Sequence, residues 1–160
     1  MSTSWLDDDE QAAWVRLAAV VELLPGVLET QLRRDADLTH FEYWVLAMLS
    51  EAPTRTLRMT ALASRTSGSL SRLSHVVARL ESRGLLERFP CPEDRRATNA
   101  RLTDTGRDVV VAAAPGHVQT VRDYVVDALT ARQVAQLTEI AGAILDRLDP
   151  DVAVLPQFRS

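Results

Sequence analysis

The sequence predicts a mainly α-helical chain with one small β-hairpin, an α+β mixture dominated by helix. Three observations carry this. Apolar residues recur at helical spacing over most of the 160 residues. Helix-start signals stand at Thr39/Glu42, at Ser67 or Ser69, at Thr103 and at Thr130/Gln133. Between them, "LLERF" (85–89) and the alternating "TNARLT" (98–103) flank the turn-rich "PCPEDRRA", the pattern of two strands and a loop.

Residues 10–34 read as a long first helix. Its apolar positions, among them Val15, Leu17, Val21, Leu24, Leu28 and Leu32, lie on more than one face. Such a helix is either a core helix or packs on a partner subunit. Pro25 and Gly26 are expected to bend or weaken it near the middle. Thr39 opens a second helix through a capping box with Glu42, and Pro53 closes it. Thr56 to Arg58 is a short extended piece.

"MTALASRT" (59–66) is a short helix, and Ser67-Gly68 a turn. A helix over about 70–83 follows, stopped by Gly84. Two helices joined by a tight glycine-containing turn form a helix-turn-helix. On the second, Leu70, Leu73, Val76, Val77 and Leu80 are expected to be buried, with Ser71, Arg72, His75, Arg79 and Ser82 facing out. The hairpin comes directly after, which makes the unit a winged helix. Thr103 caps a further helix beginning near Asp104, with an expected break at Pro115-Gly116 and a resumption as "HVQTVRDYVVDAL". Thr130 starts a last helix with a stripe of Val134, Leu137, Ile140, Ile144 and Leu148. The tail from Asp149 reads as loosely ordered.

Charge is distributed unevenly. All 18 basic residues are arginine, and the formal net charge is −4. The stretch from Arg55 to Arg107 holds eleven arginines and five acids, a net +6, and the rest of the chain carries −10. A basic middle between acidic ends fits a local polyanion site better than the overall balance suggests. The N-terminus, "MSTSWLDDDEQ", lacks the apolar stretch of a signal peptide. No apolar run is expected to reach the roughly 20 residues of a membrane span. One cysteine, Cys91, permits no internal disulfide. The expectation is a cytoplasmic protein without a membrane partner. No Walker loop, metal-ligand cluster or nucleophile elbow is present in the sequence, so neither enzyme chemistry, a cofactor nor a metal is expected. His40, His75 and His117 are far apart, with no zinc-site spacing.

The segment "VARLESRGLLERFPCPEDRRATNARLTDTG" (77–106) resembles the recognition-helix end, wing and Leu-Thr-x-x-Gly exit of the MarR family of bacterial transcription regulators. "AAAPGHVQTVRD" and "ALTARQVAQL" are similar to that family's C-terminal helices. The resemblance spans roughly residues 10–148. It implies a winged helix-turn-helix DNA-binding domain at 35–103, and a discontinuous helical dimerisation region at 10–34 and 104–148. It also implies a homodimer on a pseudo-palindromic duplex, with Trp14, Leu17, Val21, Val125, Leu137 and Ile144 in the shared interface. Family members often bind small aromatic or lipophilic acids in a cleft between the dimer helices and the winged helix. The function so read is a repressor released by a small ligand.

The second helix of a helix-turn-helix lies in the major groove, its N-terminal part toward base edges. That puts Ser69, Ser71, Arg72 and His75 near bases. Arg72 is the first candidate for base reading, since arginine can bond guanine O6 and N7 together. Arg79, one turn on, is expected at phosphate. Arg65, Thr66 and Ser67 around the turn are further phosphate candidates, which hold register without reading sequence. The wing tip would reach the adjacent minor groove, whose negative potential suits arginine. One of Arg95 and Arg96 is expected in the groove, with the other held by Asp94; the family resemblance implies Arg96 in the groove and Asp94 bracing the hairpin. The lone Cys91 reads as incidental rather than as a sensor. An alternative remains: a winged helix that docks protein instead of DNA. Its outer face should be apolar or acidic.

Overall fold

The computed structural model describes residues 4–149, so most of the tail lies outside the described residues. Its elements are α1 (Asp8–Ala36), α2 (His40–Glu51), a 3-10 turn at Pro53–Arg55, β1 (Thr56–Arg58), α3 (Met59–Arg65), α4 (Leu70–Ser82), β2 (Leu86–Cys91), β3 (Asp94–Leu102), α5 (Asp104–Tyr124), a 3-10 turn at Val126–Ala128 and α6 (Ala131–Leu148). This is the expected mainly helical winged helix-turn-helix. The core joins α2 to the apolar sides of α3, α4 and the sheet, with Leu46, Leu49, Leu62, Leu73, Val77 and Leu80 fully buried.

The expected break at Pro115-Gly116 is absent, and the bend or weakening expected at Pro25-Gly26 does not interrupt α1. Helix α1 is continuous through Pro25-Gly26. It starts earlier than expected, at a capping box between Asp7 and Glu10. A mid-helix proline removes one hydrogen bond, but α1 is anchored downstream, where Leu28, Gln31 and Leu32 are buried and the helix packs along α5. Helix α5 likewise runs through Pro115-Gly116. There Gly116 lies against α1: a Cβ on it would come within 2.8 Å of Asp35 Oδ2 and 3.0 Å of Gln31 Nε2. Close interhelical packing thus stabilises a stretch that local propensity disfavours. The expected resumption to Leu129 is instead a 3-10 turn after Tyr124.

The sheet has three strands in the order β1-β3-β2, both pairs antiparallel. The piece at 56–58 is therefore a strand, pairing Leu57 with Ala100. The wing arms are longer than expected, and only Pro92-Glu93 form the turn. Arg95 and Arg96 thus stand in β3 rather than in a tip loop. Pro90 is tolerated because β2 is an edge strand, and the register shifts beside it. Cys91 is buried at the end of β2.

The Leu-Thr-x-x-Gly exit has a steric explanation. Thr103 Oγ1 donates to Gly84 C=O at 2.7 Å and accepts from Gly106 N–H at 3.0 Å, tying the start of α5 to the end of α4. A Cβ on Gly106 would stand 1.9 Å from Leu85 O, so no other residue fits without moving backbone. Gly84 stops α4 with φ of 71°, as read from the sequence.

Among the described residues, α6 and the N-terminal part of α1 lack cover. No residue of α6 is buried; Leu137, Ile140 and Ile144 are exposed. On α1, Trp14, Leu17 and Val21 are exposed, whereas Val125 is half-buried by its own chain. The expectation about membrane-length runs is corrected here. Helix α1 is long and apolar enough to cross a membrane by length and composition, because Arg16 and Glu22 are the only charges between Gln11 and Leu28.

Candidate nucleic-acid interface

Helix α4 is held by its turn. Ser69 is its N-cap and accepts the backbone N–H of Arg72 at 3.2 Å, so its hydroxyl is already partly engaged. The turn residue in the left-handed region is Ser67 (φ 51°) rather than Gly68. Ser67, Ser71 and His75 are exposed, and Arg65 is half-buried at the end of α3. Thr66, a phosphate candidate from sequence, is buried and its hydroxyl donates to Leu62 C=O at 2.8 Å; it faces the protein. Leu70 departs the other way: expected in the core stripe, it is 49% exposed on the first turn of α4. Its position at the helix start carries it past the edge of the core that Leu73, Val77 and Leu80 fill.

The arginines divide by their partners. Arg55 meets Asp104, Arg83 approaches Asp37, Arg88 meets Glu81 and Arg101 meets Glu87. Arg58 lies 3.9 Å from Glu93 and 4.0 Å from Asp94. Arg79, expected at phosphate, is paired with Glu42, which is only 2% exposed. Five of the eleven, Arg65, Arg72, Arg95, Arg96 and Arg107, have no carboxylate within 4.0 Å among the described residues. Arg72 instead lies over the Phe41 ring, 4.1 Å from its centroid.

Asp94 braces the wing through the backbone. Its Oδ1 accepts the Arg96 N–H at 3.1 Å, while no side-chain pair with Arg95 or Arg96 forms. Both guanidinium groups are left exposed. An open cleft of about 230 Å³ separates the wing from the helices, lined by Arg58, Thr60, Leu70, Ser74, Arg88 and Arg96 among others. Recognition helix and wing therefore flank one basic recess. Within it Arg88 is partly neutralised: its guanidinium and backbone N–H hold the Glu81 carboxyl below the ordinary carboxylate range.

Sequence reasoning missed Phe41, Glu42 as an ion-pair partner, Arg58 and Leu70. The capping-box pattern flagged Glu42, and the basic window contained Arg58; nothing local pointed to Phe41. The three histidines also separate. His75 stays on the exposed face of α4, but His40 and His117 come together, ring centroids 6.3 Å apart, with Tyr43 4.6 Å from His117. Burial lowers the pKa of both. The Glu29 charge opposes this at His40, and the His40 charge adds to it at His117.

Comparison with known proteins gives consistent results. The family model described as "MarR family" matches residues 38–98. The structure is similar to Sco3205 of Streptomyces coelicolor, described as a MarR family transcriptional regulator in complex with DNA. The TM-score is 0.90 at 43% identity, covering 96% of this chain and 98% of that one. It is similar also to AbsC of the same organism, described as a MarR family transcriptional regulator, with TM-score 0.87, 38% identity, and coverage of 91% and 98%. The HTH-type transcriptional regulator YdcH of Bacillus subtilis (strain 168) is 35% identical over 83 residues, 49% of this chain and 55% of YdcH. The matches to curated relatives span little more than half of those relatives' length.

Proposed function

The chain belongs to the MarR family of transcriptional regulators, and from that premise we propose that it is a homodimeric, sequence-specific DNA-binding repressor released by a small aromatic or lipophilic ligand. In this reading residues 35–103 bind DNA, and 10–34 with 104–148 dimerise. Arg72 reads bases from the major groove with Ser69, Ser71 and His75 around it. Arg96 anchors the wing, helped by Arg95 and braced by Asp94. Arg65 and Ser67 hold phosphate. Arg79 serves mainly to position α4, given its buried partner. The observation that carries the reading is the set of unpaired arginines. Six of the eleven in the basic window are tied to carboxylates, yet among the described residues Arg72 on α4 and Arg95 and Arg96 in the wing have no carboxylate partner. Cations without a carboxylate partner on both elements flanking one recess suit a duplex backbone and groove.

The uncovered faces of α1 and α6 support a second copy of the chain as their cover. Exposed apolar patches of this extent mark interaction sites, and symmetric pairing buries the same patch twice. Covering α1 in this way gives its membrane-length apolar face a protein partner, which fits a regulator working in the cytoplasm.

The test is a gel-shift titration of purified protein against its own upstream intergenic DNA, with random duplex as competitor and salt varied. Sedimentation of the free protein runs alongside. A dimer whose shifted band survives competitor is the expected result, with affinity falling steeply as salt rises. A dimer with no preference for the upstream DNA over random duplex at any salt leaves a distant operator or the protein-docking alternative.

A further inference from the structure

We infer that Phe41, on α2 and outside the recognition helix, determines base specificity by holding the Arg72 guanidinium in place. The inference rests on the reading of Arg72 as the base-reading side chain. Arg72 is the arginine of α4 without a carboxylate partner, since Arg79 is bound to Glu42. Its backbone is fixed by the bond from its N–H to Ser69 Oγ. Its guanidinium lies 4.1 Å above the Phe41 ring centroid.

The ring itself is wedged. A Cβ on Gly68, in the turn before α4, would stand 2.8 Å from Phe41 Cζ. The next residue, Glu42, is pinned on both sides, by the Thr39 N–H at 2.7 Å and by Arg79. The helix-turn-helix turn and the first turn of α2 thus close on the ring from two directions.

Stacking uses only the face of the guanidinium. Its five N–H donors lie in the plane and remain available. An arginine stacked on a ring can therefore still present two parallel N–H groups to guanine O6 and N7. Arginine also loses much rotamer freedom when it is ordered. A ring that orders it before DNA arrives removes that cost from the specific complex. Complexes in which Arg72 meets no guanine gain nothing, so the ring raises discrimination rather than general affinity.

The experiment begins with binding-site selection by the full chain from a random duplex pool. Affinities are then measured for the selected duplex, for single base-pair changes in it, and for random duplex. The expected result for Phe41→Leu is that the penalty for changing the critical G·C pair falls about threefold to tenfold. Affinity for random duplex should hold. Gly68→Ala, which presses on the ring without removing it, should lower the penalty in the same direction, so the test survives if Phe41→Leu fails to fold. Arg72→Ala should abolish the preference at that pair, and adding Phe41→Leu to it should change nothing more. An unaltered preference in Phe41→Leu or Gly68→Ala, with Arg72→Ala losing it, overturns the inference and leaves the DNA reading intact. Equal losses on selected and random duplex in Phe41→Leu make the ring merely structural and also overturn it. An Arg72→Ala protein with full preference refutes the assignment of Arg72 itself.

Discussion

Removing the Arg79 guanidinium should destabilise the fold more than a surface substitution can, because its partner cannot reach water. Glu42 is 2% exposed. Its Oε2 accepts the Thr39 N–H at 2.7 Å, and its Oε1 meets Arg79 Nη2 at 2.5 Å. In Arg79→Ala the first bond survives, and the second oxygen is left charged and unpaired. A hydrogen bond to a charged group contributes about 1.5–3 kcal/mol, and an abandoned buried charge costs about 3–5 kcal/mol. Arg79 is itself more than half exposed, so water already screens the pair. A loss of about 2 kcal/mol follows, or roughly 4–8 °C in melting temperature for a chain of this size. Glu42→Gln keeps an acceptor for Thr39 but buries no charge, so it should cost only about 1 kcal/mol. Added to Arg79→Ala, it should restore part of the lost stability. Urea and thermal unfolding at one fixed protein concentration measure all four proteins, since subunit association would otherwise shift the midpoint. The reasoning is refuted if Arg79→Ala lies within about 0.5 kcal/mol of the parent, or if the two losses simply add.

Three further outcomes are expected. His40 and His117 are held below the ordinary histidine value of 6.5, so the unfolded chain takes up protons that the folded one refuses. Stability is therefore full above about pH 6.5 and falls as pH drops below it; melts between about pH 7.5 and 5.5 should show this, and His117→Gln should flatten the trend. Gly106→Ala should destabilise by about 3 kcal/mol or more, because its methyl would overlap Leu85 O; an unchanged melt would refute the steric account of the Leu-Thr-x-x-Gly exit. Arg96→Ala should weaken binding to selected and random duplex alike and reduce the salt slope by about one, and a loss confined to one sequence would contradict a groove-anchoring role.

Local chemistry made most of the fold legible. The capping boxes at Thr39 and Thr130, the glycine stop at Gly84 and the Thr103 cap all stand where the sequence put them. The expectations that failed depended on tertiary contacts. Pro115 leaves α5 unbroken because α1 packs against it at Gly116. Strand β1 gains its identity from β3, more than 40 positions away in the chain. At the interface, residue type identified the exposed cations of the wing and of α4. It could not reveal that Arg79 faces a buried carboxylate or that Arg72 rests on Phe41, because those partners lie on another helix.

The uninterrupted first helix has a mechanical consequence. Twenty-nine residues at 1.5 Å each make α1 about 43 Å long. Its C-terminal end is buried near the start of α2, and its other end is exposed, on the face that the proposed second subunit would cover. A tilt of about 5° at that end moves the far end by about 4 Å, slightly more than one base-pair step along a duplex. In the proposed dimer, a rod of this length would convert a small change of angle into a full step of misregister between two half-sites. A hinge at Pro25 would have absorbed that angle. In that dimer the continuous helix would transmit it.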